Sequence, residues 1–290
     1  VRNIQPVIGK MLIANVKPMH CKKVFIQMDA DYAGSTIRQA YITMGTMFKA
    51  AKMNDLIAKH PMDGVRFTKP VRAVDDIHYL TREEQRLFLE TARRSHNYNQ
   101  YALILETGLR TGEMIGLTWD AIDFDQNTIT IRHTVTSCDL DGKRVLVASD
   151  TTKTKSSMRT LPLVPFMRER LLTLKEEQQE NRRLCGRSYI KEYLEYVCVN
   201  EIGDLIKPHY VTESFPKLLK AKGMRQIRYH DLRHSCASLL LANGVPMKQI
   251  QEWLGHSDFS TTANIYAHLD YSSKLTSADA MLNGLGFAQN

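Results

Sequence analysis

The chain has 290 residues, 43% apolar and 24% charged, which gives room for two folded cores and excludes an intrinsically disordered protein. Its formal net charge is +8, and residues 1–76, with 12 Lys/Arg and 6 Asp/Glu, hold most of it. A cationic segment suits either a polyanionic partner or a solvated basic surface, and charge alone does not separate the two.

Five cysteines (Cys21, Cys138, Cys185, Cys198 and Cys236) are odd in number and show no C-x-x-C spacing. That argues against a disulfide framework or a thiolate zinc site and for a reducing cytosol. No apolar run approaches the ~20 residues that span a bilayer, so no membrane association is expected. The chain starts Val1-Arg2-Asn3, with neither an initiator Met nor a signal-peptide pattern. It reads as a fragment whose natural N-terminal part has been removed.

The first elements read as helices. Thr36 and Gln39 have the form of a capping box, followed by Ile37, Tyr41, Met44 and Phe48 at helical spacing. Residues 63–77 mix Pro, Gly and charge without periodicity and read as a linker, which separates a helical domain, 1–62, from a larger one. Thr81-Arg82-Glu83-Glu84 is a second capping box, with Leu87 and Phe88 starting an apolar face. Tyr101–Thr107 reads as a buried helix that ends at Gly108, with Arg110 at the start of the next. Thr128–Ile131, Val145–Val147 and Thr160–Leu163 read as short strands. Lys153-Thr154-Lys155-Ser156-Ser157 is a basic hairpin tip between the last two. Residues 165–183 form a charged helix, and everything from 212 onward is helical with short breaks. The fold class is mainly α with a small antiparallel β-sheet.

Candidate chemistry lies in the last quarter. His230 and Arg233 are one helical turn apart, His256 follows the helix-ending Gly255, and Tyr266 comes ten residues later. Singly, each has an ordinary structural reading as a capping pair, a helix-terminal His and a half-buried Tyr. Together they suit a phosphodiester: guanidinium holds anionic oxygens, imidazoles move protons and a phenol can attack phosphorus. No Walker-type loop or acidic magnesium cluster is apparent.

At this point the sequence resembles the tyrosine recombinase, or phage-integrase, family. The family's motifs stand here as Gly108-Leu109-Arg110-Thr111-Gly112-Glu113, a hairpin Lys153, His230-Asp231-Leu232-Arg233, Leu254-Gly255-His256 and Ile265-Tyr266, in the family's order. The resemblance covers residues 78–270, with 1–62 similar to the helical core-binding domain. It implies a catalytic domain over 78–270 and a tail, 271–290, that docks on a neighbouring protomer. The two domains would form a C-shaped clamp on DNA.

The resemblance also implies roles. Arg110 and Arg233 would clamp the scissile phosphate, and Tyr266 would attack it to give a 3′-phosphotyrosyl bond and a free 5′-hydroxyl. His230 would take the tyrosine proton and His256 would hydrogen-bond a phosphoryl oxygen. Lys153 would protonate the departing oxygen, with Lys155 as the competitor for that role. Glu113 either orients Arg110 or is a solvated helix charge. No metal or nucleotide cofactor is implied. Implied partners are double-stranded DNA recombination sites, a homo-tetramer passing through a Holliday junction, and accessory directionality and host DNA-bending proteins. The free protein would be a monomer in the bacterial cytoplasm, associated with the nucleoid. Charge alone nominates Lys22, Lys23, Arg38, Lys49, Lys52 and Lys155 as DNA contacts. Within the family, the long Val135–Val147 hairpin and the Thr152–Ser157 text resemble integrases of conjugative transposons. Competing readings are a Xer-like resolution recombinase, a type IB topoisomerase, a zinc hydrolase built on His230 and His234, and a non-catalytic DNA-binding relative.

Overall fold

The computed structural model describes residues 3–66, 79–150 and 158–257. The chain divides into two compact units, Val1–Asp75 and Asp76–Asn290.

The first unit is built from α1 (Gln5–Ile8), α2 (Pro18–Asp29) and α3 (Gly34–Met53). Cys21, Val24 and Met28 of α2 meet Ile37, Ala40, Met44, Phe48 and Ala51 of α3, a three-and-four spacing that turns one stripe of each helix inward. Met62 and Val65 join this core, so packed residues run into the segment read as linker. The expected cap at Thr36 is corrected. The helix begins three residues earlier than that cap implies, at Gly34, with Ala33 at its N-cap and no side-chain capping bond. Thr36 already donates its main-chain N–H to the Ala33 carbonyl at 2.8 Å, so it sits inside the first turn.

The second unit combines α4 (Arg82–Ala92), α5 (Tyr98–Thr107), α6 (Thr111–Ile115), α7 (Pro165–Cys185), α8 (Pro208–Ala221), α9 (Asp231–Ala242) and α10 (Met247–Leu254) with five strands. Strands β1 (Ile122–Asp123), β2 (Thr128–Ile131) and β5 (Arg159–Pro162) form an antiparallel sheet in the order β1-β2-β5. Ile129 faces both Ile122 and Leu161 across it, and these three apolar side chains join the core. Strands β3 (Thr134–Leu140) and β4 (Lys143–Ser149) make a separate hairpin. Asp141 and Gly142 turn it at φ 50° and 77°, the paired positive values a two-residue turn requires.

Helix α5 runs through the middle of this unit. Tyr101 to Leu105 are all buried, which places it between other elements rather than on the surface. Thr81 caps α4 as expected, accepting from the Glu84 N–H while Glu84 accepts from Thr81. Phe88, Tyr101, Phe215 and Tyr229 stack edge-on or tilted, with centroids 5.5 to 5.9 Å apart. Tyr229 is therefore a core residue, and it anchors the chain immediately before His230. Ser235 ties α9 to the start of α4, accepting from the Leu80 N–H at 2.9 Å.

Candidate active site

The first half of the site is set by how α5 stops. Gly108 takes φ 65°, and an added Cβ there would come within 2.4 Å of Leu254. Glycine is required by both the backbone and the close approach. The turn delivers Arg110 to the N-cap of α6. Its main-chain N–H donates to Glu113 Oε2 at 3.0 Å, and its Nη1 donates to Glu113 Oε1 at 2.6 Å. Glu113 is 3% exposed, so it is not a solvated helix charge. It fixes the arginine's base while the Arg110 side chain remains 37% exposed.

The second half comes from α9 and α10. Asp231 is buried at the start of α9, accepting from the Arg228 N–H at 2.8 Å and from the Arg228 guanidinium. It is held as a helix-start anchor, not as a base beside His230. His230 is exposed at the N-cap, and Arg233 lies one turn in and 1% exposed. Arg233 donates to the carbonyls of Gly108 and Leu254, the latter at 2.6 Å. Gly255 ends α10 at φ 66° and turns the chain to His256, which is 9% exposed.

Three guanidiniums converge on the end of α10. Arg159 donates from Nε to the Trp253 carbonyl at 2.7 Å, Arg233 to Leu254, and Arg110 from Nη2 to Gly255 at 2.8 Å. These are the helix's last carbonyls, where cations are favoured and acceptors lack intrahelical partners. Arg159 also donates to Glu113 Oε2 at 3.0 Å. It was not among the residues nominated from sequence. The signal was strand alternation, which puts Arg159 on the same face of β5 as the buried Leu161.

The electrostatics follow from burial and this cationic crowding. Burial, then the charge of Arg110, brings the Arg233 guanidinium down to about 9, still protonated at neutral pH. Burial, followed by Arg233 and Arg110, pushes His256 down to about 3, so its imidazole is neutral at pH 7. His230 is lowered by the protein packed around it and then by Arg233. His234 falls to about 4, through burial and then through His230, whose ring meets it edge-on at 5.3 Å. Burial alone would raise Glu113, but Arg159 and then Arg110 hold its carboxyl below the ordinary range. The described part of the cluster is thus cationic, with one carboxylate shared between two arginines. An anionic phosphoryl group would supply charge that the site lacks.

Of the nominated catalytic residues, the structure brings together Arg110, His230, Arg233 and His256. Lys153, Lys155 and Tyr266 lie outside the described residues. Lys22, Lys23, Arg38, Lys49 and Lys52 are all exposed on α2 and α3 of the first unit. Among the described residues no group of three His, Cys, Asp or Glu side chains is arranged to hold a metal, which leaves the zinc reading without a ligand set there. No helix among them is long and apolar enough to cross a membrane.

Fixed cations around a neutral imidazole suit an anionic phosphoryl group. Comparisons with known proteins agree. The model of the phage integrase family matches residues 78–273. A tyrosine recombinase XerC-like protein of Caldanaerobacter subterraneus subsp. tengcongensis is 29% identical over 95% of this chain and 73% of its own. The transposase from transposon Tn916 of Enterococcus faecalis is 26% identical over 92% of this chain and 67% of its own. Among solved structures, the Tn1549 transposon integrase in complex with a circular intermediate DNA superposes with a TM-score of 0.73. That match covers 97% of this chain and 91% of the integrase at 21% identity. The chain belongs to the phage integrase family and is a tyrosine recombinase.

Proposed function

We propose that this recombinase integrates and excises a mobile element by cutting and rejoining duplex DNA through Tyr266. The observation that carries the reading is the convergence of Arg110, Arg233 and His256 at the end of α10, just before the segment bearing that tyrosine. Arg110 and Arg233 hold the two non-bridging oxygens and stabilise charge developing in the five-coordinate transition state. His256, neutral at pH 7, donates its N–H to one of those oxygens. His230, also held below its ordinary pKa, has a free lone pair and accepts the Tyr266 proton. The phenolate oxygen bonds to phosphorus, the P–O5′ bond breaks, and Lys153 gives the leaving oxygen its proton. Lys155 is the alternative donor. A 5′-hydroxyl from another strand then reverses the same steps, releasing the tyrosine.

Exchange between two duplexes needs four such centres, so the working form is a tetramer on a Holliday junction. Lys22, Lys23, Arg38, Lys49 and Lys52 give the first unit a cationic exposed surface suited to DNA phosphates. The name of the Tn916 relative and that of the Tn1549 integrase support the mobile-element reading. The XerC-like name of the other relative favours plasmid or chromosome resolution as a second reading. The first expects excision of a circle from an element flanked by its ends. The second expects conversion of plasmid dimers to monomers.

A nicked suicide substrate tests the chemistry. Wild type should accumulate a covalent adduct that peptide mapping places on Tyr266, and Tyr266→Phe should bind DNA but form none. An adduct on another residue would overturn the assignment. Lys153→Ala should cleave slowly on ordinary DNA and recover with a 5′-bridging sulfur, whose departure needs no proton. If Lys155→Ala shows that pattern instead, Lys155 is the acid.

A further inference from the structure

We propose that Arg159 is a positioning residue for strand cleavage, clamping Glu113 to the end of α10 so that Arg110 and His256 keep their places. The inference rests on the recombinase reading and extends it to a residue outside the phosphate clamp. Its geometry is a closed circuit. Arg159 donates from Nε to the Trp253 carbonyl at 2.7 Å and from Nη2 to Glu113 Oε2 at 3.0 Å. Glu113 holds Arg110 through both oxygens, and Arg110 returns to α10 at Gly255, the residue before His256. Strand β5, the α6 turn and α10 thus meet through one side chain that is itself 7% exposed.

Stability alone does not account for this arrangement. A buried ion pair can often be exchanged for apolar residues at little cost, so its presence is weak evidence of a stabilising role. What the guanidinium adds is direction. Its planar fork offers N–H groups along two fixed lines, one to a carbonyl and one to a carboxylate, which a lysine ammonium does not reproduce. Glu113 also depends on it electrically. Burial works against the ionised carboxylate, and Arg159 is the foremost influence opposing it, ahead of Arg110. Without Arg159 the carboxyl moves upward and releases Arg110 as it protonates. The Arg110 guanidinium would then hang from the Gly255 carbonyl alone, with its phosphate-facing N–H groups free to swing. Displacements of about 1 Å at a reacting centre cost on the order of 100-fold in rate.

The test compares wild type with Arg159→Ala and Arg159→Lys on the nicked substrate at saturating DNA, across pH. The expected result is adduct formation slowed about 100-fold in Arg159→Ala and by less in Arg159→Lys, with DNA affinity unchanged. A 5′-bridging sulfur should rescue neither, because the defect lies in holding the phosphate and not in protonating the leaving oxygen. The acid limb should move to higher pH in Arg159→Ala, and adding Glu113→Gln should remove that displacement. Two other charged groups act on Glu113: Arg110 on α6 and Arg233 on α9. They remain in both proteins and set the limb common to them. Arg159→Lys keeps the charge and serves if the alanine variant fails to fold. Wild-type rates in both variants, or losses that follow the unfolded fraction with an unmoved pH profile, would overturn the proposal. If wild type itself forms no adduct, the recombinase reading fails instead.

Discussion

Arg110 donates a hydrogen bond to the carbonyl of Gly255, 145 residues further along the chain, at 2.8 Å. The contact joins the turn after α5 to the turn after α10, and both turns are made by glycines with left-handed backbones. A lysine at 110 would keep the charge but lose the fork that meets Glu113 and Gly255 together. Arg110→Lys and Arg110→Ala should lower the rate of covalent adduct formation by about 10²–10³-fold, with DNA retention in a gel shift largely preserved. A variant that cleaves at the wild-type rate would remove Arg110 from the chemistry.

Gly108 should tolerate no side chain. At φ 65° an alanine is strained, and its Cβ would overlap Leu254, the neighbour whose carbonyl holds Arg233. Gly108→Ala should cost roughly 2 kcal/mol or more in urea denaturation. Cleavage should fall further than the stability loss explains, because the Gly108 carbonyl also holds Arg233.

Glu106 and Arg170 form a buried pair between α5 and α7, with side chains 8% and 14% exposed. Arg170→Met leaves a buried carboxylate and should destabilise the fold by about 3–5 kcal/mol. Adding Glu106→Leu should restore most of that. Burial already raises the Glu106 carboxyl, with Arg170 opposing. A raised folded pKa means the folded state binds the proton more tightly, so the Arg170→Met deficit should shrink as pH falls.

His234 and His256 set a pH dependence of the opposite sense. His234 stands at about 4 and His256 at about 3, against 6.5 for an ordinary histidine. Between those values and 6.5 the unfolded chain binds protons that the folded chain refuses, so stability rises with pH across that window and levels off above it. Acid titration of the unfolding free energy should show the slope starting near pH 6.5. His234→Gln should flatten it, and an unchanged slope would mean another group is responsible.

Local chemistry was legible in the sequence. The Thr81–Glu84 box, the glycine ends of α5 and α10 and the strand at Thr128–Ile131 each depend on residues a few positions apart. Thr36 misled because its partner spacing was right but the helix had already begun at Gly34. Arg110, His230, Arg233 and His256 could be nominated because their motifs are compact. Arg159 offered only strand alternation as a signal, since its two partners lie 46 and 94 residues away. Glu113 remained balanced between two readings until its burial was known. Lys153 and Tyr266 fall outside the described residues, and their nomination rests on motif alone.

The acceptors at the end of α10 are main-chain oxygens, and this shapes how the site tolerates change. Replacing Trp253 or Leu254 alters packing but deletes no carbonyl, so drift at those positions leaves every acceptor in place. The hazard passes to the donors: each fork is a single side chain, and no neighbour can substitute for it. A mutational scan should therefore show intolerance at the donors 110, 159 and 233, scattered along the chain, and acceptance of other apolar side chains at 253–254.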